Sequence, residues 1–212
     1  MNRKTYISDD AIALAEYIPS EDAQDQYNCW QDEGTQSGYN YKRTESFEEY
    51  YSSGIKSRFI ATIIRLSDQA RVGAIFLSPE DTEPDLAIMI YKPFRGAGCG
   101  TRAFLLGTHY CFDVLGLEYV YAGCFAHNTL SRKMLQKCGF HPYPKGNQAE
   151  KHIITGEEIV QYDYVKYNPE CLEFDLGTVI GVPSVDENGD VLSKALVGSY
   201  VIIPKSHVPN PI

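Results

Sequence analysis

The sequence predicts an α/β fold, a mixed and mostly antiparallel central sheet flanked by helices, from three observations. Residues 58–66 and 71–77 are two apolar, β-branched-rich runs separated only by Ser67-Asp-Gln-Ala70, which marks an antiparallel hairpin. Residues 86–91 alternate, with Leu86, Ile88 and Ile90 on one face and Ala87, Met89 and Tyr91 on the other. Pro93 ends that strand, because proline cannot donate to a strand ladder, and a glycine-rich turn then opens a helix. Beyond it, strand-like and helix-like segments alternate to residue 167 in the order β-α-β-α-β.

The elements follow in order. Residues 4–8 form a first strand. Ser8, Asp9 and Asp10 read as a helix start, with residues 11–17 as a helix that Pro19 stops. A second helix begins near Ser20 and runs to Trp30, and residues 33–41, with Gly34 and Gly38, read as a loop. Ser46 and Glu49 have the spacing of a capping box for a short helix. After the hairpin and the alternating strand comes a helix over 98–114, stopped by Gly116. A strand over 119–125, a helix over 128–137 closed by Gly139, and an alternating strand over 157–167 complete the sheet. Asn168-Pro169 marks a boundary, so residues 1–167 form one domain and 168–212 a C-terminal extension. In the extension, Asn188-Gly189 between the apolar runs 177–182 and 195–203 predicts an extra β-hairpin, followed by a tail. An isolated hairpin is marginal, so it should pack on the domain or on a second copy, giving a homodimer.

A chain of 212 residues with 43% apolar residues can bury a sizeable core. The net charge of −9 argues against nucleic acid as partner and favours a cationic acceptor such as an amine. No apolar run approaches a membrane span and no secretory signal opens the chain. The six cysteines form no C-x-x-C pair, which suits reduced thiols and a cytoplasmic protein. The histidines do not cluster in sequence, so no metal site is expected.

The turn from Arg95 to Thr101 (Arg-Gly-Ala-Gly-Cys-Gly-Thr) leads into the helix, and a glycine-rich loop feeding a helix N-terminus is an anion site. Its unpaired N–H groups point outward, and glycines let the main chain approach a phosphate closely. A dinucleotide fold is the weaker match, because the third glycine of G-x-G-x-x-G is missing and Glu118 precedes the next strand instead of following it.

Two motifs resemble those of the GNAT family of N-acetyltransferases. Arg95-Gly-Ala-Gly98-Cys-Gly100 is similar to its Arg/Gln-x-x-Gly-x-Gly/Ala hallmark, and Asn128-x-x-Ser131 with Gly139-Phe140 resembles the Rim-type branch, which includes ribosomal-protein N-terminal acetyltransferases. The resemblance covers roughly residues 3–167. It implies a GNAT fold and an acetyl-CoA-dependent N-acetyltransferase, in which a primary amine (of a small molecule or a protein N-terminus) attacks the thioester directly. By the same resemblance acetyl-CoA is the co-substrate. Its pyrophosphate would lie on Arg95, Gly96, Ala97, Gly98, Cys99, Gly100 and Thr101, and its pantetheine arm on the backbone of Ile88, Met89 and Ile90 and on Asn128. Asp85 or Glu83 would be the base at the head of the strand. Ser131 would protonate the thiolate, because Leu135 stands where many relatives carry a tyrosine. The acceptor pocket is expected from the N-terminal helices and late strands, with Tyr27, Trp30 and Tyr39 as its chief aromatic walls and Tyr41, Tyr162 and Tyr164 as further ones. The alternative is a catalytically idle acyl-CoA-binding domain serving as sensor or scaffold.

Overall fold

The computed structural model describes residues 3–171; the expected hairpin at 177–203 lies outside the described residues. Five strands form one antiparallel sheet in sequence order: β1 (Thr5–Ser8), β2 (Ile12–Glu16), β3 (Phe59–Arg65), β4 (Ala70–Leu77) and β5 (Leu86–Ile90). A second antiparallel sheet has the order β6-β9-β7, with β8 also paired to β9. Its strands are β6 (Tyr119–Phe125), β7 (His141–Pro142), β8 (Gln148–Lys151) and β9 (Glu158–Tyr167).

The predicted helix over 11–17 is β2. Asp9 accepts the N–H groups of Ala11 and Ile12, both at 2.8 Å, and this side-chain turn reverses the chain into a hairpin. The four residues from Ile12 to Ala15 are all buried, so a sequence rich in alanine serves as a strand packed on both faces. Pro19 does not stop a helix; it occupies the first turn of α1 (Pro19–Trp30), where its missing N–H costs nothing. The predicted loop over 33–41 holds α2 (Glu33–Tyr39). Asp32 caps it by accepting the Thr35 N–H, and Asn40 ends it in the left-handed region at φ 49°. The short helix α3 (Phe47–Ser53) carries the predicted capping box, with both reciprocal bonds between Ser46 and Glu49 formed. The helix α4 (Cys99–His109) continues through a π-helical turn at Tyr110–Val114, and α5 (Thr129–Lys137) begins at an Asn128 cap.

Leu86, Phe104, Val120, Ala122, Leu135 and Phe140 belong to the core that α4 and α5 make with one face of the sheets. Gly107 sets how closely α4 approaches, since a Cβ there would lie 2.4 Å from Ile75 Cδ1. On the other face Met89 and Tyr91 pack with Trp30 of α1 and Tyr50 of α3. No helix among the described residues is long and apolar enough to cross a membrane.

Asp22 ties α1 to this second face. It is 1% exposed and receives Arg3 Nη1 at 2.5 Å, Thr62 Oγ1 at 2.8 Å and the Ile18 N–H at 2.7 Å. Removing one member of a buried charged network strands the others. Asp22→Ala is expected to cost about 3 kcal/mol, measured by urea unfolding; a loss below about 1 kcal/mol, the range of an exposed pair, would refute this account.

Candidate active site

The two sheets meet at a single point. Asp85 and Tyr121 form an isolated parallel bridge, and the Tyr121 N–H donates to the Pro84 carbonyl at 2.8 Å. The strands then diverge, so β5 past Leu86 has a hydrogen-bonding edge that β6 does not cover. Which residues own that edge follows from alternation. The Asp85 carbonyl accepts the N–H of Ser78, just past β4, and the Tyr91 N–H donates to Val72 of β4, so odd-numbered residues face β4 and even-numbered ones face the gap. Ile88 and Ile90 therefore present backbone groups to the gap, as expected. Met89 does not: its carbonyl points at Gly73, where an added Cβ would lie 2.1 Å away, and its side chain is buried against the N-terminal helices.

Two acceptors on this edge are occupied from within the chain. The Tyr39 hydroxyl donates to the Ile88 carbonyl at 2.5 Å, and Arg95 Nε donates to the Ile90 carbonyl at 3.0 Å. The rest of the Arg95 guanidinium is directed to α2: Nη1 reaches Asp32 at 2.7 Å and Nη2 reaches Thr35 Oγ1 at 2.7 Å. Lys92 joins Asp32 at 3.1 Å. Burial opposes the Asp32 charge, but these cations and the Thr35 N–H hold its pKa down to about 2. Arg95, expected on the cofactor, thus anchors α2 to the glycine loop.

In that loop Gly96 and Gly98 have φ of 79° and 80°, the left-handed region that glycine enters freely, and a Cβ on either would meet nothing within 4 Å. The loop is therefore open on its outer side while α4 starts immediately behind it, at Cys99. The Cys99 side chain is buried in the core, which leaves its backbone at the loop. The site fits a phosphate: open space, permissive backbone and the N-terminus of an eleven-residue helix.

Beside the loop the gap between β5 and β6 widens into a cleft of about 260 Å³. Its walls include Tyr39, Asp85, Ile88, Gly123, Asn128 and Ser131. Asp85 lines the cleft and is solvent-exposed as a residue, while protein crowds its carboxylate. Burial, assisted by the charge of Asp163, raises its pKa to about 6. Among the described residues no cation pairs with it. Asn128 caps α5 by accepting the Ser131 N–H at 3.2 Å, while its amide nitrogen lies against Gly38 of α2. Of the other expected residues, Glu83 is turned away from the cleft and accepts the Tyr119 hydroxyl at 2.9 Å. Tyr27 bonds to the Glu45 carbonyl, and Trp30 packs edge-on behind Tyr39 at 4.9 Å, so both support the wall without forming it.

Alternation also corrects the late strand. Tyr162 and Tyr164 face the core under α4 and α5, whereas Gln161 lines the cleft. Gly123 had no signal in the sequence; it is the gap in the wall across which the longer side chains of β9 lie. A second polar group gathers where α2 meets the later loops. Ser37 Oγ is 2.9 Å from His152 Nε2 and 3.3 Å from His127 Nε2. The Thr155 N–H donates to His152 Nδ1, which places the His152 proton on Nε2, directed at Ser37. A serine that accepts from its histidine is not being activated by it, so this cluster is a clasp and not a nucleophile.

The chain from residue 5 to 141 matches the family model described as an acetyltransferase (GNAT) domain. No curated protein matches it in sequence. Among solved structures it resembles a GNAT-family acetyltransferase from Bacillus anthracis, with 16% identity and a TM-score of 0.63 over 76% of this chain and 98% of that one. It is similar to spermidine N-acetyltransferase from Vibrio cholerae in complex with CoA and spermine, at 18% identity and a TM-score of 0.62, covering 74% and 94%. It is likewise similar to ribosomal-protein-S5-alanine acetyltransferase from Vibrio fischeri, at 15% identity and a TM-score of 0.62, covering 77% and 97%. At these identities the structures establish the shared fold, while the family model spans well over half of the chain: the protein belongs to the GNAT acetyltransferase family.

Proposed function

We propose that the protein is an acetyl-CoA-dependent N-acetyltransferase that moves an acetyl group to a primary amine by direct attack. The observation that supports this is the splay of β5 from β6: the free strand edge at Ile88 and the Asp85 carboxylate, which pairs with no cation among the described residues, border one cleft, and the open glycine loop follows the same strand. Acetyl-CoA supplies the activated thioester. The loop N–H groups from Gly96 to Thr101 hold its pyrophosphate, and the outward backbone N–H groups of Ile88 and Ile90 orient the arm and polarise the carbonyl. Asn128 and Ser131 line the opposite wall on α5. Ser131 is the wall's aliphatic hydroxyl for the departing thiolate, and Tyr39 offers a phenol that burial keeps protonated.

An ammonium cannot attack, so the acceptor must first lose a proton. Asp85, raised to about 6, is ionised at neutral pH and close enough to neutrality to be an effective acceptor. The solved relatives include enzymes named for spermidine and for a ribosomal-protein alanine, so a small amine and a protein N-terminus are both acceptors to try. Calorimetric titration with acetyl-CoA, followed by thiol release over amines and N-terminal peptides, tests the proposal. Binding without release for every acceptor would favour the idle sensor reading, and no binding would overturn both.

Three outcomes are expected. Gly98→Asp puts a charge and a side chain into the open loop, and should weaken acetyl-CoA binding by more than about tenfold while the chain stays folded. Asp85→Asn should lower kcat by about 100-fold with acetyl-CoA affinity kept, and the wild-type rate should rise with pH through about 6. The same group has a stability signature of known sign. Its folded pKa is raised, so its contribution is fully present below its ordinary carboxylate range and is lost as pH rises through about 6. Asp85→Asn should therefore melt at or above the wild-type temperature at pH 7.5, with the gain vanishing near pH 4; a lower melting point at pH 7.5 would contradict the assigned burial cost.

A further inference from the structure

The bridge partner of Asp85 is Tyr121, and side chains of bridged residues share a face; Gly123, two residues on, shares it too. Gly123 stands opposite Asp163 on β9, which places Asp163 on the same face as Asp85, where the turn carrying Gly146 packs against it. The opposite face, with Val120, Ala122 and Tyr164, is filled by the core. The Asp163 carboxylate is held between two glycines. A Cβ on Gly123 would lie 3.2 Å from its Oδ1, and one on Gly146 would lie 2.2 Å from its Oδ2. Gln161 Nε2 donates to Oδ1 at 3.0 Å, and the Asp163 N–H is fixed to Asn147 Oδ1 at 3.0 Å. A side chain at position 146 would displace this carboxylate and one at 123 would crowd it, so the two glycines let it lie directly behind Gly123 and Gln161, both of which line the cleft. Among the described residues no cation pairs with it.

We propose that Asp163 is a positioning residue of the acceptor site, supplying from across Gly123 a second negative charge that holds the acceptor's ammonium against Asp85. The proposal rests on the acyl-transfer reading of the cleft. The ammonium gives one proton to Asp85, leaving a neutral amine. As nitrogen bonds to the acyl carbon, the C–S bond breaks and sulfur leaves with the electron pair. The nitrogen's second lost proton passes to solvent, and a proton returns to sulfur to give the free thiol. Asp163 takes no proton in this sequence; its charge favours the cation before transfer and the protonated Asp85 after it. The other titratable groups around the two carboxylates are Tyr39 on α2, Tyr121 on β6, Glu83 on the approach to β5, and Tyr143 and Lys145 beside the turn that carries Gly146. Of these, Glu83 is the further acid, and it is engaged by Tyr119.

The test is the titration of the Asp85 carboxyl carbon by NMR in the full chain, assigned with Asp85→Asn, in wild type, Asp163→Asn and the smaller Asp163→Ser. In either folded variant the midpoint should fall towards the ordinary carboxylate range, and n-butylammonium, read through the same resonance, should bind several-fold more weakly, with n-butanol unaffected. A midpoint and an ammonium affinity both equal to wild type in a folded variant would overturn the proposal. Because the titration needs no acetyl-CoA and no turnover, its failure is separate from failure of the acyl-transfer reading, which acetyl-CoA binding and thiol release decide.

Discussion

One backbone contact organises the molecule: the bond from the Tyr121 N–H to the Pro84 carbonyl, after which two sheets part. A strand edge left open inside a protein costs free energy, on the order of 1–3 kcal/mol for each buried group without a partner. The fold tolerates it because two carbonyls of the edge are satisfied locally, Ile88 by the Tyr39 hydroxyl and Ile90 by Arg95. The N–H groups of the same residues face the gap and are the ones a ligand with carbonyl groups can use. A cleft built by withholding a strand pairing supplies both shape and hydrogen-bonding capacity, which apolar side chains lining a pocket could not.

The helix α2 is the strut across this opening. At its start Asp32 and Thr35 are held by Arg95 from the glycine loop; at its end Ser37 and Asn40 are held by His152, His127 and the Ile153 N–H. Arg95 is engaged in this role, so under the proposed reading a chain of net charge −9 would hold a phosphorylated ligand without that guanidinium. Attraction in the loop comes from oriented backbone N–H groups and the α4 terminus, whose field is local, and not from an excess of basic side chains. Asp85 and Asp163, by contrast, share one face of the sheets, the side on which the proposed acceptor would enter. Under the proposed acyl transfer the phosphorylated ligand and the amine would meet opposite local fields.

Much of the fold was legible because the local signals agree with the tertiary outcome. The capping box at Ser46, the hairpin of β3 and β4, the strand from Tyr119 to Phe125 and the glycine stop after α5 each carry their own chemistry. Two misreadings have specific causes. Residues 11–17 are rich in alanine and follow an Asp-Asp pair, a helix start by local rule, but Asp9 closes a turn and β3 supplies the pairing that a strand needs. Residues 33–41 look like a loop because of two glycines, yet Asp32 and Asn40 cap a short helix that packing holds in place. The tyrosines of the late strand were the wrong parity: a shift of one residue exchanges Tyr162 and Tyr164 for Gln161 and Asp163.

The sequence by itself determined the glycine loop, the helix it opens, the Asn128 cap and the strand headed by Asp85, since each depends on residues within one turn or one strand of each other. It also sufficed for the family, because two motifs in the right order are a local pattern. Only the tertiary structure decided that β5 parts from β6 after a single bridge, that Arg95 turns to Asp32, that Glu83 faces away, and that Asp163 lies against Gly123. Those outcomes depend on which strand lies beside which and in what register. Register is set by the burial of whole faces, not by any residue's own preference.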